Sequence, residues 1–293
     1  MSVIRTIGVL GAGQMGAGIA QTAAQADFEV RLADRDQATA DSGKAKIAAQ
    51  LKKLVEKGKL DSAAVEKTLS KIKPVASSAD FKGCELVIEA VTENPALKFK
   101  LFQDLDAVCD PATILATNTS SISITLIAAQ TKRPSLVAGM HFMNPVPIMK
   151  LVEGIRGLQT SDETFAAVKA ASEKMGKTFV SVKDIPGFAV NRILMPMINE
   201  AVQTVYEGIA TVEDIDAAMM LGTNQPMGPL TLAAFIGLDT CLAIMEVLHD
   251  GLGDSKYRPS PLLRQLVTAG WFGRKTKKGF YDYNGETPVA LRW

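Results

Sequence analysis

The sequence predicts an α/β domain with a doubly wound sheet and a helical arm, followed by an all-α C-terminal domain. Up to about residue 185, short apolar runs of strand length alternate with amphipathic helical segments, which is the pattern of a sheet covered by helices. From Phe188 onward the periodicity is helical, and no strand pattern returns until the tail. We therefore predict one domain over residues 1–185 and a second over residues 186–293.

The composition is that of an ordinary globular protein. The 293 residues are 47% hydrophobic and 22% charged, with a formal net charge of +1, so no basic excess indicates nucleic acid or an anionic membrane as a partner. No apolar run reaches the roughly 18 residues of a membrane span, and the N-terminus lacks a signal-peptide pattern. The three cysteines form no disulfide or metal-binding pattern. We expect a cytoplasmic protein, or one of an organelle matrix, without a metal.

The first domain opens with a strand, a glycine turn, a helix and a second strand. "VIRTIGVL" at residues 3–10 predicts a buried strand, and "FEVRLAD" predicts the next, ending at Asp34. From Asp36 to about Lys73 the chain is charged and helical, with a break near Gly58, which predicts a two-helix arm at the sheet edge. A third strand is predicted at residues 84–91, and later ones in "TILATN", "SLVAGMHF", "MKLVEGI" and "KTFVSVK".

Helices are predicted between these strands and throughout the second domain. "PALKFKLFQDLDAVC" places its apolar residues on one face, and "SDETFAAVKAASEKM" stops at Gly176. Thr211 with Asp214 resembles a capping box, and Pro229 stands where a helix start tolerates proline. The apolar face of the first of these helices is formed by Leu97, Leu101, Leu105 and Val108.

The glycine turn fits a dinucleotide-binding fingerprint. Gly11, Gly13 and Gly16 have the G-x-G-x-x-G spacing between a strand and a helix; they permit the tight turn, the approach of a pyrophosphate, and close helix–strand packing, respectively. Asp34 ends the next strand, where a carboxylate binds ribose hydroxyls and repels a 2′-phosphate. This predicts a Rossmann-type domain that binds NAD. Arg35 could accept a 2′-phosphate, which leaves NADP as the less favoured cofactor.

His141 is one of only two histidines, and it ends a predicted strand at the edge where open α/β sheets hold ligands. A lone histidine is more often structural, but here an "NPVP" turn brings the chain back to Glu153, and "TNTSSISIT" adds hydroxyls nearby. A neutral-pH general base suits histidine, and a carboxylate on its other nitrogen fixes the tautomer and stabilises the imidazolium. The pair predicts oxidation of a secondary alcohol by NAD. His249, near a helix end, is better explained structurally.

Several motifs together resemble the L-3-hydroxyacyl-CoA dehydrogenase family, and most closely its bacterial 3-hydroxybutyryl-CoA members. These motifs are "GAGQMGAGIAQ", "NTSSISIT", "HFMNPVPIMKLVE", "DIPGFAVNRI", "PMGPLTLAAFIGLDT" and "GRKTKKGFYDY", and they extend from about residue 3 to residue 284. The resemblance implies a catalytic pair at His141 and Glu153, an active-site serine at Ser120 and a substrate-side asparagine at Asn191. It also implies a homodimer formed through the helical domain.

The resemblance further implies contacts to NAD and to an acyl-CoA substrate. Besides the glycines and the turn residues Gln14 and Met15, the implied NAD contacts are Asp34, Glu93, Lys98, Asn118, Ser120, Asn144 and Lys275. Substrate contacts are implied at Ser120, Asn191 and Lys57, with Lys53 on the same arm. We expect the arm lysines at positions 44, 46, 52, 53, 57 and 59 to meet the CoA phosphates. Gln50 departs from the serine that the family often has there.

Two other functions compete with this one. A β-hydroxyacid or sugar-acid dehydrogenase shares the two-domain plan but commonly uses a lysine base, for which nothing here substitutes as well as His141 and Glu153. A crystallin-like or regulatory protein could retain the NAD fold without turnover. The intact set of His141, Glu153, Ser120 and Asn191 argues against that reading.

Overall fold

The structure is a computed structural model that describes residues 3–292. Its internal contacts divide the chain into two compact units between Phe188 and Ala189.

The first unit is built on an eight-stranded sheet with the order β3-β2-β1-β4-β5-β6-β7-β8. The strands are β1 (Thr6–Leu10), β2 (Glu29–Ala33), β3 (Ile72–Val75), β4 (Leu86–Glu89), β5 (Ile114–Thr117), β6 (Val137–Phe142), β7 (Leu151–Arg156) and β8 (Thr178–Lys183). All neighbours are parallel except β6 and β7, which are antiparallel. The chain order reverses between β1 and β4, and such a reversal is where α/β sheets bind ligands.

Helices cover both faces of this sheet, which confirms the predicted doubly wound α/β class. They are α1 (Gln14–Gln25), α2 (Gln37–Glu56), α3 (Ser62–Ser70), α4 (Pro95–Val108), α5 (Ile124–Ala128) and α6 (Asp162–Lys174). Successive strand residues face opposite sides: Leu86 and Ile88 join one core cluster, whereas Val87 joins the other. Each face therefore has a core of its own.

The helical arm consists of α2 and α3, and the predicted break falls at Gly58, whose φ is +65°. One face of α2 packs on the sheet side through Ile47 and Leu51, both buried. The arm ends earlier than predicted, because residues 72–75 form the edge strand β3 beside β2. This strand was not predicted because it contains Pro74, and proline is tolerated in a strand mainly at a sheet edge. The strand predicted as third is therefore the fourth, β4.

Helix α4 has the predicted apolar face, and only Leu97 on that face lies away from the core. Its buried residues are Lys98, Phe102 and Leu105, whereas Leu97 is 43% exposed. Leu105 belongs to the core, and Leu101 and Val108 pack against it, whereas Leu97 lines a cavity to which Leu101 also contributes. The helical period was correct, but periodicity alone does not distinguish an apolar core face from an apolar ligand-facing one.

The second unit is helical, as predicted, with a small strand pair in the tail. Its elements are α7 (Val190–Tyr206), α8 (Val212–Thr223), α9 (Pro229–Ile236), α10 (Leu238–Leu252), α11 (Pro261–Thr268), β9 (Tyr281–Asp282) and β10 (Val289–Ala290). The Thr211 hydroxyl accepts the Asp214 N–H at 3.2 Å, and Pro229 begins α9. Within residues 3–292, no single helix has the length and composition to cross a membrane; only the bent pair α9–α10, at 96°, passes that test jointly.

Candidate active site

A cavity of about 800 Å³ lies where the chain order of the sheet reverses. The glycine turn forms one wall, through Gly11, Gly13, Gln14 and Met15. Gly11 has a φ of +105°, and a Cβ there would lie 2.6 Å from the Ala90 carbonyl oxygen. A Cβ on Gly13 would meet nothing within 4 Å, so its backbone is open to a ligand. Helix α1 begins at Gln14 and directs its free N–H groups toward this opening.

Asp34 lies at the end of β2 and lines the same cavity. Its two carboxylate oxygens accept the N–H groups of Ala12 at 2.6 Å and Arg35 at 2.7 Å. These bonds hold the carboxylate beside the glycine turn, at the position predicted for ribose. The Arg35 guanidinium is directed along α2, donating to the Thr39 hydroxyl at 3.3 Å and pairing with Asp36 at 3.5 Å.

The opposite cavity wall was missed by the sequence analysis. Ser77 and Ser78, which follow the edge strand β3, line it together with Leu97 and Leu101 of α4. The serines follow a strand that was itself not predicted, so no signal marked them. The two leucines were predicted to lie on the apolar face of α4, without a role at the cavity.

Polar side chains join the glycine turn to the ends of β5 and β6. The Gln14 amide donates to the Asn144 side-chain oxygen at 3.0 Å, although 130 residues separate them. Asn118, just after β5, accepts the Phe142 N–H through its side chain at 2.9 Å. Three of the predicted cofactor residues are therefore brought to one edge of the sheet.

His141 and Glu153 face each other across the antiparallel pair β6–β7, in direct register. The His141 Nδ1 lies 2.8 Å from the Glu153 Oε2, and both side chains are buried, at 7% and 1% exposure. The "NPVP" segment makes the turn that allows this pairing. With Nδ1 held by the carboxylate, Nε2 is the ring nitrogen left for a substrate.

Residues 118–123, here called the serine loop, are organised by Glu93. One oxygen of this carboxylate accepts the N–H groups of Ser120 at 2.8 Å and Ser121 at 3.1 Å, and it also binds the Thr119 hydroxyl. Burial works to raise the pKa of the Glu93 carboxyl, but the Lys98 ammonium and the donors of the serine loop outweigh it and hold that pKa below its ordinary value. Glu93 therefore fixes the backbone that carries Ser120.

Lys98 is buried at 1% exposure and lies between two carboxylates. Its Nζ is 2.6 Å from Glu89 and 3.3 Å from Glu93, and Glu89 also accepts the Thr117 hydroxyl at 2.7 Å. In this structure Lys98 touches the serine loop through Glu93, and its direct contact to NAD stays a prediction. The sequence analysis missed Glu89; a carboxylate at the end of the buried strand "LVIE" was the available signal.

Most arm lysines are exposed, including Lys53 in the last turn of α2 and Lys57 at its C-terminal cap. They lie four residues apart and so share a face. Lys44 differs, because its Nζ donates to the Ile72 carbonyl at 2.6 Å and joins α2 to β3. Lys44 therefore has a structural contact, and we no longer include it among the lysines expected to meet the CoA phosphates.

The remaining predicted residues belong to the second unit. Asn191 lies buried in the first turn of α7, and Lys275 forms an ion pair with Asp239. Their roles stay predictions.

Neither metal nor thiol chemistry is supported by the described residues. Between residues 3 and 292, no group of three or more His, Cys, Asp or Glu side chains could hold a metal ion. Burial raises the pKa of the Cys84 and Cys241 thiols to about 12 and that of Cys109 to about 11. These thiols stay protonated near neutral pH, where they are poor nucleophiles.

One protein family matches both units of the chain. Residues 6–185 match the family described as 3-hydroxyacyl-CoA dehydrogenase, NAD binding domain, and residues 187–283 match its C-terminal domain. The chain belongs to the 3-hydroxyacyl-CoA dehydrogenase family. Its first unit is an NAD-binding domain, and the family consists of oxidoreductases, as the resemblance implied.

Members of the family with high identity cover nearly the whole chain. A probable 3-hydroxybutyryl-CoA dehydrogenase of Bacillus subtilis is 58% identical over 97% of this chain and 99% of its own length. The 3-hydroxybutyryl-CoA dehydrogenase of Bradyrhizobium diazoefficiens is 55% identical over 99% of both chains. The crystal structure of (S)-3-hydroxybutyryl-CoA dehydrogenase from Ralstonia eutropha is 51% identical and superimposes with a TM-score of 0.94, covering 96% of this chain and 100% of that one.

Proposed function

We propose that this member of the 3-hydroxyacyl-CoA dehydrogenase family interconverts 3-hydroxybutyryl-CoA and acetoacetyl-CoA with NAD(H). The observation that carries the proposal is the buried, in-register pair of His141 and Glu153. His141 lies near the carboxyl end of β6, and the cofactor cavity lies at the carboxyl ends of β1 and β2. The names of the relatives supply the acyl-CoA substrate class. The sugar-acid alternative commonly uses a lysine base, but Lys98 at this site is held between Glu89 and Glu93, so it substitutes less well than the pair of His141 and Glu153.

His141 acts as the general base at Nε2. In the oxidative direction it takes the proton of the C3 hydroxyl, while the carboxylate of Glu153 fixes the tautomer and stabilises the imidazolium that forms. Bound NAD supplies the hydride acceptor for C3. In the reductive direction the imidazolium returns its proton to the developing alkoxide. Ser120 and Asn191 hydrogen-bond the reacting oxygens of the substrate.

The cofactor is held by the residues around the cavity. The backbone at Gly13 and the N-terminus of α1 receive the pyrophosphate, because the space over Gly13 is open. Asp34 receives the ribose hydroxyls and places a negative charge where NADP would carry its 2′-phosphate. NAD is therefore the preferred cofactor.

Lys53 and Lys57 bind the phosphates of CoA from the exposed face at the end of α2. Their four-residue spacing at the end of α2 favours a shared face, and charge-assisted contacts to phosphate are among the stronger hydrogen bonds. The other exposed arm lysines add to the positive potential.

A homodimer and a cytoplasmic location complete the proposal. The second unit exposes large apolar side chains, among them Leu221 at 86% and Ile193 at 73%, which suit contact with a second copy of the chain. Sedimentation velocity distinguishes this from a monomer. The close bacterial relatives, and the use of NAD and acyl-CoA thioesters, favour the cytoplasm.

Turnover with defined substrates tests the proposed function. The purified chain should oxidise NADH rapidly with acetoacetyl-CoA, and slowly with free acetoacetate or with oxidised sugar acids. Preference for a free acid would support the β-hydroxyacid alternative. Tight NADH binding without turnover of any of these substrates would support the non-catalytic alternative.

A further inference from the structure

Residues 184–188, "DIPGF", are the last residues of the first unit. They contact two parts of the proposed site, the serine loop and His141. Asp184 follows β8 directly, and its carboxylate accepts three hydrogen bonds: from the Ser123 hydroxyl at 2.7 Å, the Ile124 N–H at 3.0 Å and the Thr125 N–H at 2.8 Å. These donors start α5 and end the serine loop. The loop is therefore held by a carboxylate at each end, Glu93 on one side and Asp184 on the other.

Phe188, at the other end of the segment, packs against His141. Its side chain is 3% exposed, and its ring centroid lies 5.7 Å from that of the imidazole, with 57° between the ring planes. Phe188 has a φ of +52°, a left-handed conformation that is unfavourable for a residue with a side chain, and Gly187 before it has a φ of +76°. Strain of this kind persists where surrounding contacts over-determine it, and it concentrates at functional sites.

We propose that Asp184 and Phe188 are positioning residues for catalysis. Asp184 holds the serine loop and through it Ser120, whereas Phe188 holds the imidazole ring of His141 in the orientation that Glu153 requires. The inference rests on the proposed function, because it assigns both residues to the same reaction. One five-residue segment thereby aligns the base and the substrate-binding serine.

The Phe188 contact is tested by changing the ring while keeping the bulk. Phe188→Leu should lower kcat by about 10-fold, since small misplacements of a catalytic group have effects of this order or larger, and should leave NADH affinity unchanged. Phe188→Tyr keeps the ring and should recover most of kcat. Phe28→Leu is the matched control: Phe28 is also buried, but it lies just before β2 and against Lys174. It should lower the melting temperature without lowering kcat.

The Asp184 contact is tested in the same way. Asp184→Asn should lower kcat by about 10-fold, because an amide cannot accept all three donors. Asp216→Asn is the matched control, since Asp216 also accepts two N–H groups at a helix start, those of Leu230 and Thr231. Should Asp184→Asn not fold, Ser123→Ala removes one donor from the loop side and should give a smaller fall in the same direction.

Double variants separate a positioning role from a purely structural one. If Asp184 acts through Ser120, Asp184→Asn should have little further effect on kcat in a Ser120→Ala background, and Phe188→Leu little further effect in a His141→Gln background. Full additivity in both cycles, or kcat within twofold of wild type for both single variants, overturns the inference. These outcomes require an active wild-type enzyme. A wild type that is inactive on acetoacetyl-CoA instead overturns the proposed function.

Discussion

Replacing Glu153 by glutamine removes the carboxylate charge beside His141 while keeping the size and shape of the side chain. The change is well defined because Glu153 is 1% exposed and its Oε2 lies 2.8 Å from the His141 Nδ1. An amide accepts a neutral hydrogen bond at that position but gives the imidazolium no opposite charge. With its NH₂ group turned toward Nδ1, it also favours the wrong tautomer.

The size of the effect follows from the burial of the pair. A hydrogen bond to a charged group contributes about 1.5–3 kcal/mol net to stability, against about 0.5–1.5 kcal/mol for a neutral one. Because His141 and Glu153 are buried, solvent screens little of their interaction. The loss of about 1–2 kcal/mol corresponds to a fall in kcat of about 5- to 30-fold, since 1.4 kcal/mol is tenfold. Disturbance of the tautomer adds to this figure. The pH profile of kcat should change as well.

Initial rates of NADH oxidation with acetoacetyl-CoA, measured across pH, provide the assay. Glu85→Gln is the control, because the Glu85 carboxylate accepts the backbone N–H groups of Arg5 and Thr6 rather than pairing with the imidazole of His141. It should leave kcat and its pH profile unchanged. A normal kcat and an unchanged profile for Glu153→Gln would refute its role as the partner of the base.

Three further predictions concern the cofactor, the substrate and stability. Replacing Asp34 by serine should narrow the preference for NADH over NADPH by removing the charge that opposes a 2′-phosphate; equal kcat/KM for both cofactors in wild type would contradict this. Replacing Lys53 and Lys57 together by alanine should raise KM for acetoacetyl-CoA but not for NADH, with an effect that shrinks as salt rises; an equal rise in KM for an acyl thioester lacking the nucleotide would argue against CoA binding. The pKa of Glu93 in the folded protein lies below its ordinary value of 4.5. The ionised Glu93 carboxylate therefore stabilises the fold above pH 4.5, and this stabilisation is lost as the pH falls through the folded-state pKa. Glu93→Gln should therefore flatten the acid side of the plot of melting temperature against pH, and an unchanged slope there would show that the carboxylate does not carry this dependence.

Much of the site was predictable because its residues follow strand ends in recognisable local patterns. The glycine turn with Asp34 is a local motif, and the pairing of His141 with Glu153 follows from two strands joined by a proline-containing turn. Such features depend on short-range geometry, which a sequence displays directly.

Features that depend on tertiary packing could not be read from the sequence. The edge strand β3 contains Pro74, which argues locally against a strand. Leu97 lines the cavity although its spacing in α4 fits a core position. Glu93 and Lys98 are predicted to touch NAD; in addition they form an ion pair, and Glu93 accepts the Ser120 N–H of the serine loop. Asp184 holds the same loop from about 60 residues further along the chain, a distance at which no local pattern gives a signal.

His141→Gln tests the central claim most directly. Wild type and variant are compared for NADH affinity by fluorescence and for kcat with acetoacetyl-CoA. The account predicts unchanged NADH affinity and a fall in kcat of about 10²- to 10⁴-fold, which is typical for the loss of a general acid–base group. A variant that binds NADH normally and retains most of its kcat would contradict the assignment of His141 as the catalytic base.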